Sequence, residues 1–486
     1  MNPSPSAAAI GPITDWSASA LSAAIHAKTV SCREVMQAYL SRIQRVNPIV
    51  NAIINLQDEG ALLAQADARD AQLARGESMG WMHGMPQAIK DLSNAAGLPT
   101  TQGSPLLRNF VPKEDGLMAH RMKAAGCIVI GKTNTPEFGM GSHTFNSVFG
   151  VTRNPYDLTK TPGGSSGGAA VGLATRMLPL ADGSDFMGSL RNPAGWCNVF
   201  GMRPSVGRVP MWPATDAYLS QLSTEGPMAR TVHDLALLLN TQAGPDARSP
   251  LSLTSKIDFS LSLDRLDCNN VKIGWLNNLS GYLALDSGIS GVCEEALKRF
   301  EGLGCGVTPA DLGYPPEKVW QAWLVWRRAL TGARIAPFLV NPKNREHIKP
   351  EALWEHDQAA TLTGSEWMNA SIQRTAFYQH MLSLFEQYDF LVLPSAQVWP
   401  FDVAQRWPQQ INGVAMDTYH RWMEVTIYAT FAGLPAISVP AGFDARGLPM
   451  GLQIIGKPQA DLAVLQLAAA YERVAQEVLM RRPTAL

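Results

Sequence analysis

Thr161-Pro162-Gly163-Gly164-Ser165-Ser166-Gly167-Gly168 sets four glycines around two adjacent serines, and an Ala-rich segment, Ala169 to Ala174, follows it directly. Glycines at this density imply backbone that turns sharply or lies close to another group. A phosphate cradle is one reading, but it requires a lysine after the last glycine, and none follows Gly168. A flexible loop that opens a helix accounts for the glycines. It does not account for two serines held inside them.

A second serine cluster lies just downstream, at Asp182-Gly183-Ser184-Asp185-Phe186-Met187-Gly188-Ser189-Leu190-Arg191. A serine at the end of such a turn can expose its hydroxyl while neighbouring backbone N–H groups point at one spot, the geometry of an oxyanion hole. Upstream, Gly84-Met85-Pro86-Gln87-Ala88-Ile89-Lys90-Asp91 ends an apolar strand on a lysine. Partial burial there depresses a lysine pKa and lets it act as a base. Singly, Lys90 reads as a solvated strand-end lysine and Ser189 as a turn serine. Together with Ser165 they form a nucleophile, a relay and a base.

Outward from these loops, residues 84 to 207 alternate short apolar runs (Pro86 to Ile89, Cys127 to Ile130, Met177 to Leu180) with Gly/Ser/Thr/Asn-rich turns, the pattern of buried strands separated by working loops. Toward the N-terminus, Ser31 with Glu34 predicts a capping box ahead of an amphipathic helix carrying Val35, Met36, Tyr39, Leu40 and Ile43, which Asn47-Pro48 is expected to stop. Val50 to Leu56 continues as a second apolar element. Pro227 to Leu239 reads as helical after a Pro start, and Gln242 to Ser260 as a surface crossover. The middle third, about 271–388, is mostly helical in pattern. In it Trp320, Trp323 and Trp326 mark one helix face, read either as a core stripe or as an aromatic wall of a substrate cleft next to Arg327 and Arg328. Leu391 to Leu393, Ala436 to Val439 and Leu452 to Ile455 read as buried strands, and Asp461 to Val478 as a closing helix. The expected architecture is α/β: one large domain over 1–486, a mixed central sheet covered by helices on both faces. Its parts are a helical segment (1–70), a core (80–240), a helical insertion (about 271–388) and a closing sheet and helix (389–486).

Composition narrows the function classes. The 486 residues carry a net charge of −1 and only 17% charged residues, so no basic field attracts nucleic acid or anionic lipid. Six cysteines are scattered without a CxxC pair, which reads as reduced thiols and not as a zinc site or a disulfide framework. Met1 to Ala27 lacks the basic start and long apolar run of a signal peptide, and no run approaches the roughly 18 apolar residues of a membrane helix, so a cytoplasmic chain without membrane contact is expected.

The chain resembles the amidase signature family from Ser31 to about Tyr471. The signature runs from Gly163-Gly164-Ser165-Ser166-Gly167-Gly168 through Gly188-Ser189-Leu190-Arg191, with Ser165 and Ser189 24 positions apart. Supporting blocks occur in order: Gly131-Lys132-Thr133-Asn134, Arg203-Pro204-Ser205, Glu225-Gly226-Pro227-Met228-Ala229-Arg230-Thr231, Gly433-Leu434-Pro435-Ala436 and Gly447-Leu448-Pro449-Met450-Gly451-Leu452-Gln453. The resemblance implies a Ser/cis-Ser/Lys triad: Ser189 as nucleophile, Ser165 as the cis-serine after a cis Gly164–Ser165 bond, and Lys90 as base. It implies backbone oxyanion donors at Phe186, Met187, Gly188 and Ser189, and a substrate-binding loop at Gly139, Met140, Gly141 and Ser142, with His143 beside it. It implies an acyl-enzyme mechanism that needs no cofactor and no metal, a small-molecule substrate with water, and a monomer or homodimer.

The family loop usually reads Thr-Gly-Gly-Ser before the nucleophile, whereas this chain has Phe186-Met187-Gly188-Ser189. That form resembles the branch of cyclic nylon-dimer hydrolases and urethane-cleaving amidases, which implies amides or carbamates (urethanes) with bulky apolar or aryl groups in a roomy apolar acyl site. The alternatives within the same resemblance are a catalytically silent amide-binding relative and the A subunit of a tRNA-dependent amidotransferase.

Overall fold

A computed structural model describes residues 11–483. Its centre is a mixed eight-stranded sheet in the order Gly306–Pro309, Lys272–Trp275, Phe390–Pro394, Pro449–Gly456, Ala436–Phe443, Phe200–Arg203, Thr224–Ala229, Ala181–Asp185. The first three strands run parallel and the remaining neighbours pair antiparallel. A second, three-stranded sheet pairs Pro86–Lys90 parallel to Ile128–Thr133, with Ile53–Ile54 antiparallel on the other side. The long strands are buried along nearly their whole length and read as apolar runs, since helices cover them. Close packing is visible at Gly451, where a Cβ would stand 2.7 Å from the Cα of Gly195 in the helix Arg191–Trp196. The mixed α/β sheet with packed helices agrees with the expected fold class.

Several elements depart from the sequence reading. The first amphipathic helix keeps its Ser31–Glu34 capping box but does not stop at Pro48: it runs Cys32–Val50 and ends on Asn51 at φ 52°. Asn47 makes this tolerable, because its Oδ1 accepts the N–H groups of Ala52 and Ile53 at 2.9 and 2.8 Å and so fastens the chain just beyond the proline. Met177 to Leu180 is a turn, and the strand begins only at Ala181. Pro227 lies in the strand Thr224–Ala229. It sits opposite Asp182 but beyond the register with Phe200 and Gly201, so the missing N–H breaks no ladder on that side. The helix after it starts at Val232, capped by Thr231. The middle third is not purely helical: Lys272–Trp275 and Gly306–Pro309, joined through the helix Ile289–Gly302, extend the central sheet. Four-residue strands flanking a 14-residue amphipathic helix leave a sequence pattern dominated by the helix. The insertion proper is the helical run that begins at Pro316.

Candidate active site

The site forms where the two sheets meet. Lys90 ends its strand fully buried, and its backbone N–H donates to Asp182 Oδ2 at 3.0 Å. Its Nζ donates to Ser165 Oγ and Ser166 Oγ, both at 2.8 Å, to Ser184 Oγ at 3.0 Å and to the Ser184 carbonyl at 3.3 Å. Asp182 and Ser184 alternate on one face of the strand Ala181–Asp185, which is why one strand meets both the backbone and the side chain of Lys90. Burial pushes the Lys90 pKa down to about 7, against the opposing pull of the Asp182, Asp185 and Glu225 carboxylates. Neutral lysine holds a lone pair that can accept the Ser165 proton.

Ser165 follows a cis peptide bond from Gly164, as the resemblance implies. Ser166 caps the short helix Gly167–Ala174, and its N–H donates to the Ser189 carbonyl at 3.3 Å, tying the two serine loops together. Gly183 leaves room for this: a Cβ there would stand 2.7 Å from Ser166 Oγ.

The turn that carries Ser189 hangs on Asp185. Its carboxylate accepts the N–H groups of Gly188 (2.8 Å) and Leu190 (3.1 Å) and a bidentate pair from Arg191, both bonds at 3.0 Å. Burial would raise the Asp185 pKa, but Arg191 and Arg203 overcome it and hold the group well below the usual carboxylate range. Arg191 in turn donates to Gln453 Oε1 at 2.7 Å and Thr430 Oγ1 at 2.9 Å, which locks the turn to the sheet. This geometry corrects one expected oxyanion donor. Gly188, at φ +83°, turns its N–H onto Asp185 and not into the cavity. The N–H groups of Phe186, Met187 and Ser189 carry no such partner among the described residues.

Ser189, Phe186 and Met187 line a cavity together with Gly139, Met140, Gly141 and Ser142, so most of the expected substrate loop converges on Ser189. His143 does not. Its ring is buried against Phe145 and Phe401, with centroids 4.6 and 5.5 Å away, and burial pushes its pKa down to about 4. The tryptophan stripe resolves as core. Trp320 and Trp323 are fully buried, Trp326 packs on Trp367, and Trp323 reaches the site only through the edge of Phe186, centroids 5.5 Å apart. The same helix, Pro316–Ile335, instead presents Arg327, Thr331 and Arg334 to the cavity.

The cavity measures about 30 Å³, the share of roughly one water molecule, so the expected roomy apolar site is narrow here and lined by two guanidinium groups. Arg327 is held at 2.5 Å by Glu355 Oε1 and at 2.5 Å by the Tyr419 hydroxyl, and its third nitrogen has only the Met187 sulfur, 3.8 Å away. Sequence reasoning missed Ser166, Ser184, Asp182, Asp185 and these arginine contacts. A larger cavity of about 420 Å³, bordered by Gln57, Arg69 and Lys123, also carries Cys127, but burial pushes that thiol's pKa up to about 12 and Lys123 is paired with Asp115 at 2.6 Å.

Comparison with known proteins gives the family. The Amidase family profile matches residues 34–465, and the chain belongs to that family. It is 34% identical to an acylamidase of Rhodococcus erythropolis (94% of this chain, 95% of that protein). It is also 34% identical to the A component of the glutamyl-tRNA(Gln) amidotransferase of Cyanothece sp. (92% and 95%). Among solved structures, a bacterial aryl acylamidase of the amidase signature family superposes with a TM-score of 0.90 at 32% identity, covering 97% of this chain and all of that one. A 6-aminohexanoate cyclic dimer hydrolase superposes at 0.87 with 24% identity, covering 98% and 100%, a likeness of fold. Among the described residues no helix is long and apolar enough to cross a membrane.

Proposed function

We propose that this protein hydrolyses the C–N bond of small amides through Ser189, Ser165 and Lys90. The observation that carries this reading is the buried Lys90 Nζ, 2.8 Å from Ser165 Oγ, behind a serine that lines the cavity. Neutral Lys90 takes the Ser165 proton while Ser165 takes that of Ser189, and Ser189 Oγ bonds to the carbonyl carbon. No hydrogen bond joins the two serine hydroxyls in this geometry among the described residues, so substrate entry brings Ser189 Oγ onto Ser165 by side-chain rotation. The carbonyl oxygen, now an anion, is received by the N–H groups of Phe186, Met187 and Ser189, each worth roughly 3–4 kcal/mol in comparable sites. Collapse breaks the C–N bond, and Ser165 protonates the departing amine with the proton that Lys90 returns. Water then attacks the ester by the same relay in reverse order, freeing the acid and Ser189.

The carbonyl of a carbamate is as open to Ser189 as that of an amide, so urethane cleavage is part of the proposal. The test is hydrolysis of a p-nitroanilide and a matched aryl carbamate, with Ser189→Ala as the blank. Release of nitroaniline by the wild type alone supports the triad, and full activity in folded Ser189→Ala sinks it. A carbamate rate within about tenfold of the amide, about 1.4 kcal/mol in barrier, supports the urethane part. The likeness to the amidotransferase component favours a second reading, ammonia release from glutamine for a partner protein. Turnover of glutamine in preference to anilides would favour it.

A further inference from the structure

The charges around the cavity do not cancel. Arg327 is neutralised by Glu355, which also accepts the Tyr419 hydroxyl at 2.7 Å and Thr331 Oγ1 at 3.1 Å, so this carboxylate is fully engaged. Lys349, whose Nζ donates to the Met140 carbonyl at 2.7 Å, has the Glu137 carboxylate on its own backbone N–H at 3.0 Å. Arg334 is different. It lies two helical turns from Arg327 on the same face of Pro316–Ile335, exposed at the rim of the cavity, and its Nη2 donates to the Phe138 carbonyl at 2.8 Å. Among the described residues no carboxylate pairs with it. The remaining guanidinium N–H groups have no partner among the described residues, and the cavity they border also holds Ser189. A cation in this position stabilises an anion whose counter-charge arrives with the ligand, and a guanidinium fork fits a carboxylate through two parallel hydrogen bonds.

We propose that Arg334 receives a carboxylate carried by the substrate, so that the preferred substrates are acidic amides: monoamides of dicarboxylic acids or N-acyl derivatives of amino acids. This rests on the hydrolase reading, since it places the scissile carbonyl at Ser189. It departs from the bulky apolar or aryl groups that the resemblance implies, because the rim that selects the substrate is charged.

Two substrate pairs test it. Glutaric acid mono-4-nitroanilide is compared with 5-methylhexanoic acid 4-nitroanilide, and N-benzoyl-4-aminobutanoate with N-benzoyl-4-methylpentylamine, an isopropyl group replacing the carboxylate in each neutral member. The expected result is a kcat/KM ratio of about tenfold or more in favour of the acid in one pair, expressed mainly in KM. Arg334→Gln should lower that ratio about tenfold, and Arg334→Glu should invert it. Equal turnover of acid and isostere in both pairs, or a ratio unmoved by Arg334→Gln, overturns the proposal. If no member of either pair turns over, the hydrolase reading fails separately. Calorimetric binding of the two acids to Ser189→Ala and to Ser189→Ala/Arg334→Gln then decides the Arg334 assignment: about tenfold weaker binding in the double variant supports it, and equal binding overturns it.

Discussion

Two buried lysines stand side by side on neighbouring strands and do different work. Lys90 pairs with Thr133 and Ile89 with Lys132 in the parallel register, and neither ammonium reaches solvent. Lys132 donates to the Ser93 carbonyl at 2.5 Å and to Thr100 Oγ1 at 3.0 Å, with the Asp91 carboxylate 3.8 Å away. Burial lowers its pKa to about 8, opposed by that carboxylate. Lys90 touches three serine hydroxyls and a carbonyl, and the Asp182 carboxylate beside it is engaged by its backbone N–H and not by its ammonium. An ion pair makes a buried lysine a structural cation. A ring of hydroxyls makes it a base that can lose its proton near neutrality.

Replacing each lysine in turn should break the symmetry between them. Lys90→Met is expected to lower kcat/KM by about 10²- to 10⁴-fold, the usual worth of a positioned general base. It should not lower the thermal midpoint at neutral pH, because it removes a desolvated amine that has no ion-pair partner. Steady-state kinetics beside thermal unfolding of the same preparation checks both halves. A Lys90→Met protein with more than a tenth of wild-type activity would contradict the role of the lysine.

Lys132→Met should do the reverse. It leaves Asp91 buried without its cation, a change that typically costs about 3–5 kcal/mol. Thr101, whose hydroxyl donates to Asp91 Oδ2 at 2.5 Å, compensates only in part. Denaturant unfolding should show the loss, while kcat per folded molecule stays within a few-fold of wild type. A stable but inactive variant would place Lys132 in the chemistry.

This pair also shows what the sequence carries and what it hides. That Lys90 ends an apolar strand is visible in Met85 to Lys90, and the glycines around Ser165 and Ser189 announce unusual backbone. The partners that decide the role of Lys90 are not visible: Ser166, Ser184 and Asp182 lie 76 to 94 residues away in the chain. The strand Ala181–Asp185, set beside the end of Pro86–Lys90, brings Asp182 and Ser184 into reach, and the turn ahead of the helix Gly167–Ala174 brings Ser166. The resemblance implies an oxyanion donor at Gly188. Its amide is taken by Asp185, three residues earlier, a local competition that spacing does not reveal. The short strands at Lys272 and Gly306 likewise owe their existence to pairing across the central sheet and not to local propensity.

A milder effect sharpens the comparison through pH. The proposed base acts as free amine, so kcat/KM should fall in proportion to acidity below about pH 7 and level off above it, following the folded pKa of Lys90. A profile flat down to about pH 5 would exclude Lys90 as the titrating base. A structural cation such as Lys132 should leave the midpoint of this profile in place, because its partners do not touch Ser165.

The smallest expected change concerns Glu225, which lies opposite Ser184 in the antiparallel register and accepts the Ser93 hydroxyl at 2.5 Å. Burial pushes its pKa up to about 7, with Asp182 adding to the rise, so it exchanges its proton over the same range as Lys90. An ionised Glu225 favours the protonated amine and so raises the Lys90 pKa. Glu225→Gln keeps an acceptor for Ser93 but removes that charge, and the midpoint of the pH profile should move toward acid by a few tenths of a pH unit, about 0.4 kcal/mol or more in the coupling of the two groups. Because both groups titrate together, the wild-type curve should also be broader than a single ionisation and the variant curve should sharpen to one. A variant that loses kcat at every pH with the midpoint unmoved would make Glu225 a packing residue. A midpoint unmoved with kcat retained would mean that its charge does not reach Lys90, and a shift toward alkali would contradict the sign of the coupling.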